Sequence, residues 1–181
     1  MQKVYSSIDL KQKAKKIKLA AFDIDGVMTD GSLIYLPDGS QAKAFNAKDG
    51  LGLTMLNKAG IKTAIITAKE SGAVLERAKT LGITKLFMNQ KNKMSALDEI
   101  CREFSLGYDE ILYMGDDLPD IEVLKSAGLS VCPQDAVDEV KEICNIVTQK
   151  SGGKGAVREI CDFLLKVNNI SFDDLKKPSV Q

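Results

Sequence analysis

Asp23 and Asp25 stand one residue apart, directly behind the apolar run of residues 18–22. That run reads as a buried β-strand, so both carboxylates fall at a strand's C-terminal end, where open α/β sheets bind their ligands. Two neighbouring carboxylates could divide two roles between them, one as nucleophile and one as proton donor. A calcium loop of the EF-hand type is excluded, because its third oxygen ligand would have to come from Val27 and a helix would have to precede it. Other strand ends supply other groups. Residues 63–66 run into Thr67, Asn92-Lys93 opens a helical stretch, and residues 111–114 run into Gly115-Asp116-Asp117-Leu118-Pro119-Asp120. Singly, a threonine behind a strand is an ordinary helix cap, a lysine at a helix start is ordinarily solvated, and an acidic run before a helix complements its dipole. Together and in this order, a strand-end Asp pair, a hydroxyl, a lysine and a second acidic cluster are the parts that phosphoryl transfer needs.

The elements that must position these groups alternate along the chain. Short apolar runs at residues 18–22, 63–66, 85–87, 111–114, 129–131 and 146–148 predict strands, separated by helical patterns at 51–58, 71–81, 93–104, 119–126 and 156–167. This is the rhythm of an α/β fold with a doubly wound, mainly parallel sheet. One segment breaks it: between Leu33 and Phe45 two β-prone runs flank Pro37-Asp38-Gly39-Ser40, which predicts a β-hairpin inserted after the first strand and overhanging the active end of the sheet. The division expected is an N-terminal extension over residues 1–16, read as a solvated appendage with Ile8 and Leu10 on one side of a short helix, a catalytic domain over 17–167, and a weakly ordered tail over 168–181.

Composition narrows the chemistry further. The 181 residues contain no histidine, which removes Ser-His-Asp, Cys-His and His-metal mechanisms together. Lys plus Arg equals Asp plus Glu at 25 each, so there is no general pull toward nucleic acid or anionic lipid, and neither is expected as a partner. Cys101, Cys132, Cys144 and Cys161 lie in or beside apolar runs without a CxxC pair and read as reduced, structural residues. No apolar run reaches membrane-spanning length, and the first 16 residues are too polar for a signal-peptide core, so a cytoplasmic location is expected.

The motif set Asp23-x-Asp25, Thr67, Lys93 and Gly115-Asp116-Asp117-x-x-Asp120 resembles the four motifs of the haloacid dehalogenase (HAD) superfamily, over residues 17–165 or so. The longer strings Phe45-Asn46-Ala47-Lys48-Asp49-Gly50, Gly115-Asp116-Asp117-Leu118 and Gly152-Gly153-Lys154-Gly155-Ala156-Val157-Arg158-Glu159 resemble the 3-deoxy-D-manno-octulosonate 8-phosphate phosphatases, small HAD enzymes without a cap domain. On this reading Asp23 attacks phosphorus to form an aspartyl-phosphate, and Asp25 gives a proton to the leaving alkoxide and later takes one from water. A cation must screen the carboxylate from the phosphate dianion, and an all-oxygen site suits Mg²⁺, with Asp116 as the natural second ligand. The resemblance implies a metal held by the Asp23 and Asp116 side chains and the Asp25 carbonyl, with Asp117 and Asp120 close by in support. It implies that Thr67 and Lys93 bind phosphoryl oxygens, and that Asp25, Asn46, Ala47, Lys48, Asp49, Gly50, Lys69, Arg77 and Lys93 surround a sugar-acid phosphate. It further implies a homotetramer in which neighbouring subunits close the site.

Lys69 and Lys48 stand where that family carries arginine, keeping the charge without the bidentate fork, and Thr54 replaces another arginine. The nearest competing substrate is a nine-carbon 2-keto-3-deoxy acid 9-phosphate, although the glutamate and lysine of those phosphatases are not reproduced at Lys69 and Thr80. A phospho-receiver signalling module is the alternative from another class, and its motif order differs. Residues 152–155 lack the Gly-Lys-Ser/Thr ending of a P-loop and leave open a tight turn into a helix or a substrate role.

Overall fold

The computed structural model describes residues 7–176. Its elements in chain order are α1 (Ile8–Lys16), β1 (Leu19–Phe22), β2 (Ile34–Tyr35), β3 (Gln41–Ala42), α2 (Ala47–Lys58), β4 (Lys62–Ile66), α3 (Gly72–Leu81), β5 (Lys85–Phe87), α4 (Lys93–Phe104), β6 (Ile111–Met114), α5 (Ile121–Ser126), β7 (Leu129–Cys132), α6 (Asp138–Ile143), β8 (Ile146–Val147) and α7 (Ala156–Val167). Six strands form one parallel sheet in the order β5-β4-β1-β6-β7-β8, while β2 and β3 pair antiparallel by themselves. The order reverses at β1, which has β4 on one side and β6 on the other, and the crevice above that reversal is where an open α/β sheet takes its ligand.

Strand alternation builds two cores. Ala20, Phe22, Leu112 and Met114 face α1, α2, α3 and α7, whereas Leu19, Ala21, Ile111 and Tyr113 face α4, α5 and α6. The doubly wound, mainly parallel sheet expected from the sequence is therefore present, with each predicted strand in place, and only the short hairpin stands between β1 and α2 where a cap domain could sit.

Three expectations are corrected. Residues 8–16 do not form a solvated appendage: Ser7 caps α1 by accepting the Leu10 N–H at 3.5 Å, and Leu10 and Ala14 are buried on a face packed against α7. Ile8 does not share that face, because positions two apart on a helix point in nearly opposite directions, and it is 76% exposed. Helix α2 begins at Ala47 rather than at 51, since Asn46 caps it by accepting the Lys48 N–H at 2.8 Å. Gly50 and Gly52 hide that start from a propensity reading, and both are dictated by neighbours: a Cβ on Gly50 would lie 2.2 Å from the Arg77 guanidinium, and one on Gly52 3.0 Å from Cys161. Beyond α7 the chain is more ordered than expected, with Ile170 and Leu175 packed against the core. Residues 177–181 of the expected tail and 1–6 of the expected extension lie outside the described residues. Cys132, Cys144 and Cys161 are buried and Cys101 is half-buried, as structural thiols. Among the described residues no helix is long and apolar enough to cross a membrane.

Candidate active site

Asp23 follows β1 immediately, and its N–H donates to the Met114 carbonyl of β6 at 3.0 Å, which prolongs the ladder by one step and aims the side chain out of the sheet. The chain then turns sharply: the N–H groups of Val27, Met28 and Thr29 all converge on the Ile24 carbonyl. Gly26 makes this turn possible, with φ at +83°, and its missing side chain leaves room for Asp116, whose Oδ2 would lie 2.0 Å from a Cβ there.

Lys93, the first residue of α4, is the pivot of the site. It is 4% exposed, and its Nζ donates to Asp23 Oδ2 and to Asp120 Oδ1, both at 2.6 Å. Burial works against its charge, but the two carboxylates outweigh that and hold its pKa above the ordinary lysine value. Asp120 Oδ1 also accepts the hydroxyl of buried Tyr113 at 2.6 Å, while its Oδ2 accepts the N–H groups of Asp116 at 3.1 Å and Asp117 at 3.3 Å. Thr67 is buried at the end of β4, its N–H on the Phe87 carbonyl at 2.9 Å. Asp25 lies further out: Oδ1 accepts a hydrogen bond from Lys43 Nζ, and Oδ2 sits 3.5 Å from Lys69 Nζ.

The acidic groups carry more negative charge than Lys93 can balance. Carboxylate oxygens of Asp23, Asp116 and Asp120 lie within 4.8 Å of one another. Burial raises the Asp23 pKa to about 6 against the pull of Lys93, and burial reinforced by Asp23 and Asp120 raises that of Asp116 to about 8. Asp116 Oδ1 is buried without a hydrogen-bond partner. An orphaned carboxylate oxygen among like charges fits a divalent cation with oxygen ligands. Asp23 and Asp116 are the side chains that would hold it. Asp120 has both oxygens doubly occupied, and Asp117 Oδ1 accepts the Leu118 N–H at 2.7 Å, so these two fit the supporting places around the ligands.

Asp23, Asp25, Thr67, Lys69, Lys93, Asp116, Asp117 and Asp120 thus line one cleft of about 300 Å³. A model of the haloacid dehalogenase-like hydrolases matches residues 80–160. The chain is 38% identical over 174 residues to the 3-deoxy-D-manno-octulosonate 8-phosphate phosphatase of Escherichia coli strain B, covering 96% of this chain and 92% of the relative. It is 42% identical over 158 residues to that of Yersinia pestis, with 87% and 84% covered. The crystal structure of 3-deoxy-D-manno-octulosonate 8-phosphate phosphatase from Moraxella catarrhalis, in complex with magnesium ion, phosphate ion and KDO, superimposes with a TM-score of 0.86 at 41% identity, covering 88% and 91%. The chain belongs to this phosphatase family within the HAD-like hydrolases. The receiver-module alternative is thereby set aside.

The remaining residues expected around the substrate form a second cluster outside the cleft wall of this phosphatase. Ala47 and Lys48 are exposed on the first turn of α2. Asp49 is 1% exposed; its Oδ1 accepts the Arg158 N–H at 2.7 Å and so serves as a cap for α7, whose own N-cap residue is Gly155. Arg77 reaches back to the Asn46 carbonyl at 3.1 Å and packs over the Phe45 ring. Asn46 Nδ2 in turn donates to the Gly153 carbonyl at 3.2 Å. Of the two readings left open for residues 152–155, the structure shows the tight turn at Gly152 and Gly153: a Cβ on Gly152 would lie 1.8 Å from the Gly26 carbonyl oxygen, and one on Gly153 2.6 Å from the Asp30 nitrogen. The glycines let this turn lie against the loop of Gly26 to Asp30, which follows the Asp23–Asp25 pair.

Sequence reasoning missed Lys43 and Tyr113. Lys43 follows a two-residue strand in an otherwise unremarkable Ala42-Lys43-Ala44, a setting shared with solvated edge lysines. Tyr113 had a weak signal, a polar hydroxyl in a strand buried on both faces that must find a partner.

Proposed function

We propose that this phosphatase hydrolyses 3-deoxy-D-manno-octulosonate 8-phosphate with Mg²⁺ as cofactor. The observation that carries the reading is the nucleophile geometry: a strand-end carboxylate, Asp23, held by buried Lys93 beside the orphaned oxygen of Asp116. The names of the relatives supply the substrate, and the magnesium of the Moraxella structure agrees with the oxygen ligands here. Bound Mg²⁺ would lower the repulsion between Asp23 and the phosphate dianion.

Asp23 attacks phosphorus, the ester P–O bond breaks, and the departing oxygen keeps the electron pair and takes a proton from Asp25. Water then attacks the aspartyl-phosphate, giving its proton back to Asp25 and releasing phosphate and the Asp23 carboxylate. Thr67 and Lys93 bind the phosphoryl oxygens throughout. Beside the cleft a wider recess of about 700 Å³ opens between residues 39–41 of the hairpin and Lys69 and Ser71, sharing Ala68 and Lys69 with the catalytic cleft. It is a place for the organic half of the ester, where Lys69 would meet a carboxylate.

A homotetramer and a cytoplasmic location belong to the same proposal. The first is supported by the resemblance and by the exposed apolar hairpin, the second by a charged substrate that does not cross a bilayer unaided.

The test is phosphate release from octulosonate 8-phosphate, the nine-carbon 9-phosphate, simple sugar phosphates and nucleotides, with Mg²⁺ and with chelator. The eight-carbon ester is expected to show the highest kcat/KM, and chelation to abolish turnover until Mg²⁺ is restored. An eight-carbon ester ranking no higher than generic esters would overturn the substrate assignment.

A further inference from the structure

We propose that Lys43 is a positioning residue for the acid–base step, clamping Asp25 by Oδ1 so that Oδ2 is the oxygen that exchanges the proton. The inference rests on the reading of Asp25 as general acid and base.

Lysine ordinarily leaves its ammonium in water, and burying it is costly unless the charge is met. The Lys43 side chain is nevertheless only 3% exposed, with its Nζ hydrogen-bonded to Asp25 Oδ1, while Asp25 itself is 24% exposed. Lys43 is absent from the cleft wall, whereas Asp25 and Lys69 lie on it. Its bond to Asp25 is thus its link to the cleft, and its effect on the reaction is expected to pass through that carboxylate.

The two oxygens of Asp25 are thereby made different. Oδ1 is closed by a charge-assisted bond from a buried donor. Oδ2 stands 3.5 Å from Lys69 Nζ, whose side chain is 49% exposed, a loose contact at the open side. A free carboxylate rotates and presents either oxygen, and small errors in the placement of a reacting group cost large factors in rate. The clamp removes that freedom. Lys43 also stands where the chain leaves β3, so this bond joins the hairpin to the acid.

The experiment compares Lys43→Met, Lys43→Arg and Asp25→Asn with the wild type by kcat/KM on two substrates, an alkyl sugar phosphate and p-nitrophenyl phosphate, whose phenolate leaves without a proton. For Lys43→Met, kcat/KM on the alkyl ester is expected to fall roughly 10- to 100-fold, with p-nitrophenyl phosphate changed less than about threefold. Lys43→Arg should recover part of the loss, and the same alkyl-selective loss should be deeper in Asp25→Asn. Equal losses on both substrates for Lys43→Met, with Asp25→Asn still selective, would make Lys43 merely structural and overturn the proposal. If Asp25→Asn is unselective too, the acid assignment falls and the proposal with it. Should Lys43→Met not fold, Lys43→Gln, whose shorter and neutral amide is a weaker donor for Oδ1, carries the test: a smaller loss confined to the alkyl ester is expected, and equal losses on both substrates overturn the proposal.

Discussion

Asp120 is a fully engaged carboxylate at the floor of the site. Four donors, from α4, β6 and the loop after β6, meet on its two oxygens, so it fixes Lys93, the backbone of Asp116 and Asp117, and Tyr113 relative to one another. Tyr113→Phe keeps the packing and deletes one of those donors. A hydrogen bond to a charged acceptor is worth about 1.5–3 kcal/mol, so thermal unfolding should show a loss of that order, together with a lower kcat. Mg²⁺ affinity, measured by calorimetric titration, should scarcely change, because Asp120 supports the ligands rather than joining them. A marked fall in Mg²⁺ affinity would return Asp120 to the ligand set. Asp23 and Asp116 make a second prediction. Their folded pKa values, raised by burial from 3.8 to about 6 and about 8, lie above the unfolded value. Their contribution to stability is thus fully present below 3.8 and is lost as pH rises through about 6 and then about 8. Chelated protein should lose stability over that window, and the gain in melting temperature on adding Mg²⁺ should widen with pH; a gain independent of pH would contradict the assignment.

At the scale of elements, the first turn of α2 and the start of α7 form one unit. Asp49 caps a helix whose N-cap residue is glycine, and Asn46 holds the turn that packs on the loop of Gly26 to Asp30. Asp49→Ala should cost about 0.5–2 kcal/mol, the worth of an N-cap, measured by denaturant unfolding, and should lower kcat more than it raises KM. A pure KM effect would instead place Asp49 in direct contact with substrate. The sheet and the four strand-end motifs that line the cleft were legible in the sequence because they are local: an apolar run followed by a polar strand end identifies itself. What escaped depends on partners distant in sequence. Lys43 draws its interest from Asp25, which lies across from it 18 residues earlier, and α1 is anchored because Leu10 and Ala14 meet a core built largely from later residues, α7 among them. The start of α2 was obscured by glycines that its neighbours require.

For the whole molecule, the hairpin is the conspicuous surface. Leu33, Ile34, Tyr35 and Leu36 are 47%, 46%, 66% and 43% exposed in succession, a continuous apolar stretch of the kind that marks an interface. Light scattering coupled to size exclusion should find a tetramer, and Tyr35→Asp with Leu36→Asp should yield smaller species with reduced turnover; a wild-type monomer would refute the assembly. The packing of Gly152 and Gly153 on the loop of Gly26 to Asp30 has a consequence in time as well as in space. Asp23 and its loop are synthesised well before the glycine turn that packs behind that loop. Until residues 152–158 emerge, the loop of Gly26 to Asp30 lacks this backing even though β6 and Lys93 already hold Asp23, so full activity is expected only once α7 has docked.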